Sequence, residues 1–173
     1  MSAHTGRLVV RQFEETRRSH HLIILDTRLG QWSERDSFEN AVSVAASLAV
    51  VDMAASRNVS LSTVTDWVTT TAATRMLDAL CAIQDSGEEG LMARLREAIA
   101  KRPGLSVVTV VVAPTVDDNQ ASQLLNAIPI DVRSAVVRVR PGHPKMRRLS
   151  HGTLADCPTL DDLPRLVAAG GLS

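Results

Sequence analysis

Leu22-Ile23-Ile24-Leu25 is an unbroken apolar run, entered from His20-His21 and closed by Asp26. Neighbouring side chains on a strand point to opposite faces, so four apolar residues in a row need apolar cover on both sides. That requirement is met by a parallel sheet held between two layers of helices. Ser106-Val107-Val108-Thr109-Val110-Val111-Val112 is a second such run and the strongest strand signal in the chain. The strand over Leu22 to Thr27 is expected at the centre of the sheet, delivering Asp26 to its carboxyl edge.

Helical patterns alternate with these runs. Phe38, Val42, Ala45, Leu48, Ala49 and Met53 recur at helical spacing from about Ser37 to Ser56, and Ser33-x-x-Asp36 and Asp36-x-x-Glu39 both offer capping-box chemistry at its start. Val59 to Val64 then completes a β-α-β unit, and Trp67 to Thr71 suggests a short edge strand. Helices are expected over Arg75 to Gln84 and Glu88 to Lys101, the second stopped by Arg102-Pro103-Gly104. Asp117-Asp118 caps a helix carrying Leu124, Leu125 and Ile128; Ala135 to Val139 is the next strand. One last short strand is expected between Met146 and Leu160, and a short terminal helix from Thr159. Upstream, Arg7 to Phe13 looks extended and Glu14 to Ser19 is a polar connector. The fold class is therefore α/β: three layers, with an open, mostly parallel, Rossmann-like sheet and helices on both faces. One domain spans residues 1–173, with residues 1–19 as its N-terminal strand and connector. Sheets of this kind bind at the carboxyl ends of their strands, near a switch point, which puts the candidate edge at Asp26.

Composition narrows the function classes. Nineteen basic residues balance nineteen acidic ones, so no global field recruits nucleic acid or an anionic membrane. With two Phe, two Trp and no Tyr, aromatic platforms for single-stranded nucleic acid are missing. No apolar run approaches the ~18 residues of a membrane span, and Met1 to Arg7 lacks a signal-peptide pattern, so a cytoplasmic protein is expected. Cys81 and Cys157 are too far apart for a metal knuckle and are expected as free thiols. Cys81 falls on a helical face with Leu77 and Leu80, which places it in the core; Cys157, before Pro158, is placed in a loop.

Catalytic motifs are scarce. There is no G-x-G-x-x-G after the first strand, no G-x-x-x-x-G-K-[ST], and no G-x-S-x-G, so nucleotide and hydrolase chemistry lack their usual parts. His20 and His21 point to opposite faces and cannot easily share an ion. Arg138, Arg140, Lys145, Arg147 and Arg148, with His143 and His151, form the one basic cluster, expected as a solvated face or a surface for an acidic protein partner.

The segment Thr5-Gly6-Arg7-Leu8-Val9-Val10-Arg11-Gln12-Phe13-Glu14-Glu15-Thr16-Arg17-Arg18, followed by a strand ending Leu25-Asp26-Thr27, resembles the domain-of-unknown-function 58 family, a bacterial group with a von Willebrand factor A-like fold. Phe38 to Ala49 and Thr159-Leu160-Asp161-Asp162-Leu163-Pro164 resemble further parts of it. Members commonly carry a membrane-spanning hairpin before this region, so the resemblance implies a short form, a fragment or an engineered piece. It also implies a non-enzymatic protein-interaction module, such as an adaptor for a MoxR-type AAA+ ATPase.

Domains of this type can hold Mg²⁺ at a metal-ion-dependent adhesion site, Asp-x-Ser-x-Ser with a Thr and an Asp from later loops. Asp26 takes the first position, but Arg28 and Gly30 fill the two serine positions. The loop expected to supply the Thr is Asp85 to Gly90, with Ser86 or Glu88 as substitutes. Ala113-Pro114-Thr115 replaces the late Asp, and Asp117 is the nearest carboxylate. A degenerate metal site follows, in which Arg28 repels a cation or pairs with Asp26. The binding edge is expected to comprise Asp26, Thr27, Arg28, Gly30, Trp32, Ser86 and Thr115, with Trp32 as an interface anchor or a cover for the sheet end. The alternative is a Mg²⁺-dependent adhesin or metal-assisted enzyme built on Asp26, Glu88 and Asp117.

Overall fold

The computed structural model describes residues 19–28, 30–32, 34–68, 70, 72–84 and 90–170. The expected strand over Arg7 to Phe13 and the candidates Ser86 and Glu88 lie outside the described residues. In chain order the elements are β1 (His20–Leu25), α1 (Arg35–Ala54), β2 (Asn58–Ser62), β3 (Trp67–Val68), α2 (Ala73–Cys81), α3 (Leu91–Ala100), β4 (Leu105–Val112), α4 (Asp118–Asn126), β5 (Arg133–Arg138), β6 (Lys145–Leu149), β7 (Gly152–Asp156) and α5 (Leu163–Ala168). The strands form one seven-stranded sheet in the order β3-β2-β1-β4-β5-β7-β6. β2, β1, β4, β5 and β7 run parallel, and the two outer strands, β3 and β6, are antiparallel to their neighbours.

The two apolar runs of β1 and β4 are covered on both faces, as their composition demands. Ile23, Leu25, Val111 and Ala113 face a cluster built with α1, α2 and α5, whereas Leu22, Ile24, Val108, Val110 and Val112 face α3 and α4. This is a three-layer α/β fold. Among the described residues no helix is long and apolar enough to cross a membrane.

Four expectations need correction. The middle of the sheet belongs to β4, with β1 next to it, because the longer Val-rich run offers the most apolar surface to bury on both sides. The tail after β5 holds two strands, paired as a hairpin with Leu149 opposite Gly152 and only Ser150-His151 between them. That dipeptide lacks the Asn-Gly or Asp-Gly signature of a two-residue turn, so the hairpin had no local signal. Gly152 is required where it stands: at φ +142 a Cβ would lie 2.5 Å from the Ser134 carbonyl oxygen. At the start of α1 the N-cap is Glu34 with no side-chain cap bond, so the box expected from Asp36 and Glu39 does not form; Ser33, which opens the other expected box, lies outside the described residues. Finally, α2 turns Met76 and Leu80 inward rather than Leu77 and Cys81, leaving Cys81 exposed; Cys157 stands in the loop after β7, as expected, and is fully buried beside α5.

Candidate functional site at the carboxyl edge

The strand order places β2 on one side of β1 and β4 on the other, so the switch point lies between β1 and β4, just beyond Leu25 and Val112. Asp26 continues β1 by one residue, its N–H donating to the Val111 carbonyl at 2.9 Å, and its side chain is 0% exposed. A buried carboxylate needs a partner. Arg28 supplies it as a two-pronged pair: Nε donates to Oδ1 and Nη2 to Oδ2, both at 2.8 Å, and the Arg28 N–H adds a third bond to Oδ1 at 3.2 Å. The hydrogen bond to Asp26 raises the Arg28 pKa above its ordinary value against the opposing effect of burial. Of the two roles expected for Arg28, the structure shows the pair.

The neighbouring candidates are bound into the scaffold to different degrees. Thr27 is buried, and its Oγ1 accepts from the Val64 N–H at 3.4 Å, tying β1 to the end of β2. Gly30 is exposed and takes φ +76, the left-handed conformation that lets the loop turn back. Trp32 is 8% exposed: its indole Nε1–H donates to the Asp26 carbonyl at 3.0 Å and its ring meets Phe38 edge-on at 5.6 Å. It covers the sheet end and belongs to the core, so it is no protruding anchor. Thr115, after β4, is exposed, and its hydroxyl donates to the Gln31 Oε1 at 2.7 Å, closing the loop after β1 onto the loop after β4. Gln31 was absent from the expected site because nothing in its local sequence marks a partner 84 residues away.

Asp117, the expected metal ligand of the β4 loop, is occupied otherwise. Its Oδ1 accepts from the Gln120 N–H at 2.7 Å, while the Gln120 Oε1 accepts from the Asp117 N–H at 3.0 Å, a reciprocal cap on α4. Asp26, Glu88 and Asp117 are thus not shown to converge: Glu88 is outside the described residues, and among these no three His, Cys, Asp or Glu groups are placed to hold a metal ion. A cation at Asp26 would have to displace the Arg28 guanidinium from both carboxylate oxygens.

The expected basic cluster separates into individual roles. Arg138 is only 2% exposed: Nε donates to Asp156 Oδ1 at 2.7 Å, and Nη1 donates to the Val116 carbonyl at 2.8 Å and lies 3.1 Å from Asp118 Oδ1. Arg140 takes the other Asp156 oxygen at 2.8 Å, and Arg147 grips Asp118 with both terminal nitrogens at 2.6 and 2.8 Å. Arg147, and then Arg138, hold the Asp118 carboxyl well below the usual carboxylate range. These residues weld the ends of β5, β7 and β6 to the start of α4. His143, Lys145, Arg148 and His151 are exposed, as a solvated face requires.

A second buried polar group lies at the opposite, amino end of the sheet. His21 Nδ1 is hydrogen-bonded to Asp52 Oδ2 and Nε2 lies 2.9 Å from the Thr109 hydroxyl, all three residues being buried, while Arg57 Nη1 holds Asp52 Oδ1 at 3.0 Å. The order Asp-His-Thr imitates a nucleophilic triad, but Thr109 lies within β4 beneath α1, closed to any substrate. One sequence signal was available: Asp52 interrupts the apolar stripe that Leu48 and Ala49 continue, and an acid on that face implies a buried partner. Compared with protein-family models and with curated proteins, the chain matches none.

Proposed function

We propose that this chain is a non-enzymatic protein-interaction module of the cytoplasm, and that the carboxyl edge formed by Arg28, Gly30, Gln31 and Thr115 receives a protein partner. The observation that carries the reading is the closure of Asp26 by Arg28. Acid-base or metal chemistry at a switch point needs a carboxylate with a free oxygen, and here both oxygens are already engaged. What remains outward is a polar loop surface braced by the Gln31–Thr115 bond, which suits recognition by shape and hydrogen bonding. The resemblance to the domain-of-unknown-function 58 family makes a MoxR-type AAA+ ATPase the partner to try first.

The test is capture of such an ATPase by the wild-type chain and by Gln31→Arg and Thr115→Arg, whose side chains change only the outer surface of the edge. Loss of capture with an unchanged circular dichroism spectrum supports the module; full capture by both variants refutes this edge. The metal alternative is measured in parallel by titrating Mg²⁺ and Mn²⁺ calorimetrically. A saturable heat that disappears in Asp26→Asn would favour a Mg²⁺-dependent adhesin or enzyme instead.

A further inference from the structure

A cleft of about 710 Å³ opens at the amino edge of the sheet, away from the carboxyl edge, where the starts of β1 and β2 meet the loop between α1 and β2, the end of α3 and the first turn of α2. We propose that this cleft binds a small phosphate-bearing molecule through Arg57, Arg75 and Arg102, with His20, Ser60 and Thr70 completing the polar lining. Its volume is that of a small-molecule site.

Three arginines and a histidine line it, and among the described residues no Asp or Glu does. Among the described residues Arg57 alone of the three arginines has a carboxylate partner, Asp52, which approaches from the core side and takes a single nitrogen at 3.0 Å. Arg75 and Arg102 make no ion pair among the described residues. Arg102 is held in place by stacking, its guanidinium 5.0 Å from the centre of the Trp67 ring, which Arg94 also contacts at 5.0 Å. Stacking orients the planar fork without using up its donors, the condition for two-pronged recognition of phosphate oxygens.

The neutral polar groups fit the same ligand. His20 Nε2 is 2.9 Å from the Ser60 hydroxyl on the neighbouring strand, which fixes both at the cleft wall. Burial first, then the charges of Arg102 and His21, hold the His20 pKa below its ordinary value, so its ring sits at the cleft wall as a polar partner. An arginine just beyond a helix also favours that helix's carboxyl end, and this accounts for Arg57 after α1 and Arg102 after α3. It does not account for Arg75, which comes from the first turn of α2, where the helix end favours acids and a cation is misplaced. Met53 and Val59 supply an apolar patch for the organic part of a phosphate ester.

The experiment is calorimetric titration of the full chain with inorganic pyrophosphate, glucose 6-phosphate and, as controls, glucose and sodium chloride at matched ionic strength. A saturable heat with either phosphate probe is expected, weakened at least about tenfold, roughly 1.4 kcal/mol of binding, in Arg75→Ala. Arg75 is exposed, so that variant keeps its fold; Arg102→Ala provides the second measurement. Absence of saturation for both phosphate probes up to about 10 mM, a Kd too weak for a built site, overturns the proposal. Equal heats in wild type, Arg75→Ala and Arg102→Ala overturn it too, marking an adventitious ion only.

Discussion

Asp52→Ala tests whether the polar group at the amino end of the sheet is structural in the way its geometry requires. The substitution removes the acceptor of His21 Nδ1 and of Arg57 Nη1. Arg57 is partly exposed and can turn to water, but His21 is 1% exposed and its ring nitrogen would be left without a partner. An unsatisfied buried donor costs about 1–3 kcal/mol, and loss of the partly exposed Arg57 pair adds up to about 1, so a loss of about 2–4 kcal/mol is expected. For a chain of 173 residues this lowers the Tm by roughly 5–15 °C. Asp52→Asn keeps an acceptor for His21 and should lose about half as much. Burial tends to raise the Asp52 pKa, but the bond and charge of His21, with Arg57, outweigh it and hold the carboxyl below its ordinary value. The contribution is therefore present above the unfolded value of about 3.9 and is lost as pH falls through the lower folded value. Urea unfolding followed by circular dichroism, repeated from neutral pH into acid, measures both effects. If Asp52→Ala lies within about 0.5 kcal/mol of wild type, or Asp52→Asn shows the same acid slope as wild type below pH ~4, the reasoning is wrong.

Three further outcomes are expected. Trp32→Ala should destabilise by about 3–5 kcal/mol in the same urea assay, because it empties a buried ring site against Phe38 and frees the Asp26 carbonyl; a stable variant would show that Trp32 is no cover for the sheet end. Gly152→Ala should cost about 2–5 kcal/mol, combining a disfavoured backbone conformation with the Ser134 clash, and unchanged stability would contradict the β6–β7 hairpin geometry. With a thiol reagent at pH 8, Cys81 should react quickly. Cys157, its thiol pushed up to about 11 by burial and then by Asp162, should react only after unfolding, and mass spectrometry of labelled peptides decides between them.

Much of the fold was legible because its signal is local and repeated. Runs such as Leu22–Leu25 and Val107–Val112 must be buried on both faces wherever they lie, and helical spacing over Phe38 to Met53 selects the face of α1 that covers them. Asp117 announced its capping role by position alone. Where several local arrangements satisfied the same pattern, the sequence could not choose. Leu77 with Cys81 and Met76 with Leu80 are both spaced for one helical face, and only the seat of α2 against α1 buries the second pair.

The candidate site divides the same way. Asp26 at the end of β1, and an arginine two residues later able to reach it, follow from the order of residues, since the end of a buried strand is also the end of its apolar surface. That Arg28 takes both carboxylate oxygens, that Trp32 turns inward and that Gln31 meets Thr115 were decided by packing across the switch point. So were the dispersal of the Arg138, Arg140 and Arg147 cluster onto Asp156 and Asp118, and the gathering of Arg57, Arg75 and Arg102 around one cleft. The sequence by itself determined which segments must be buried, because apolar area is a property of each segment. Only the tertiary structure decided which charges meet, because a charge is placed by the strand order and the helix seating that bring distant residues within a few ångströms.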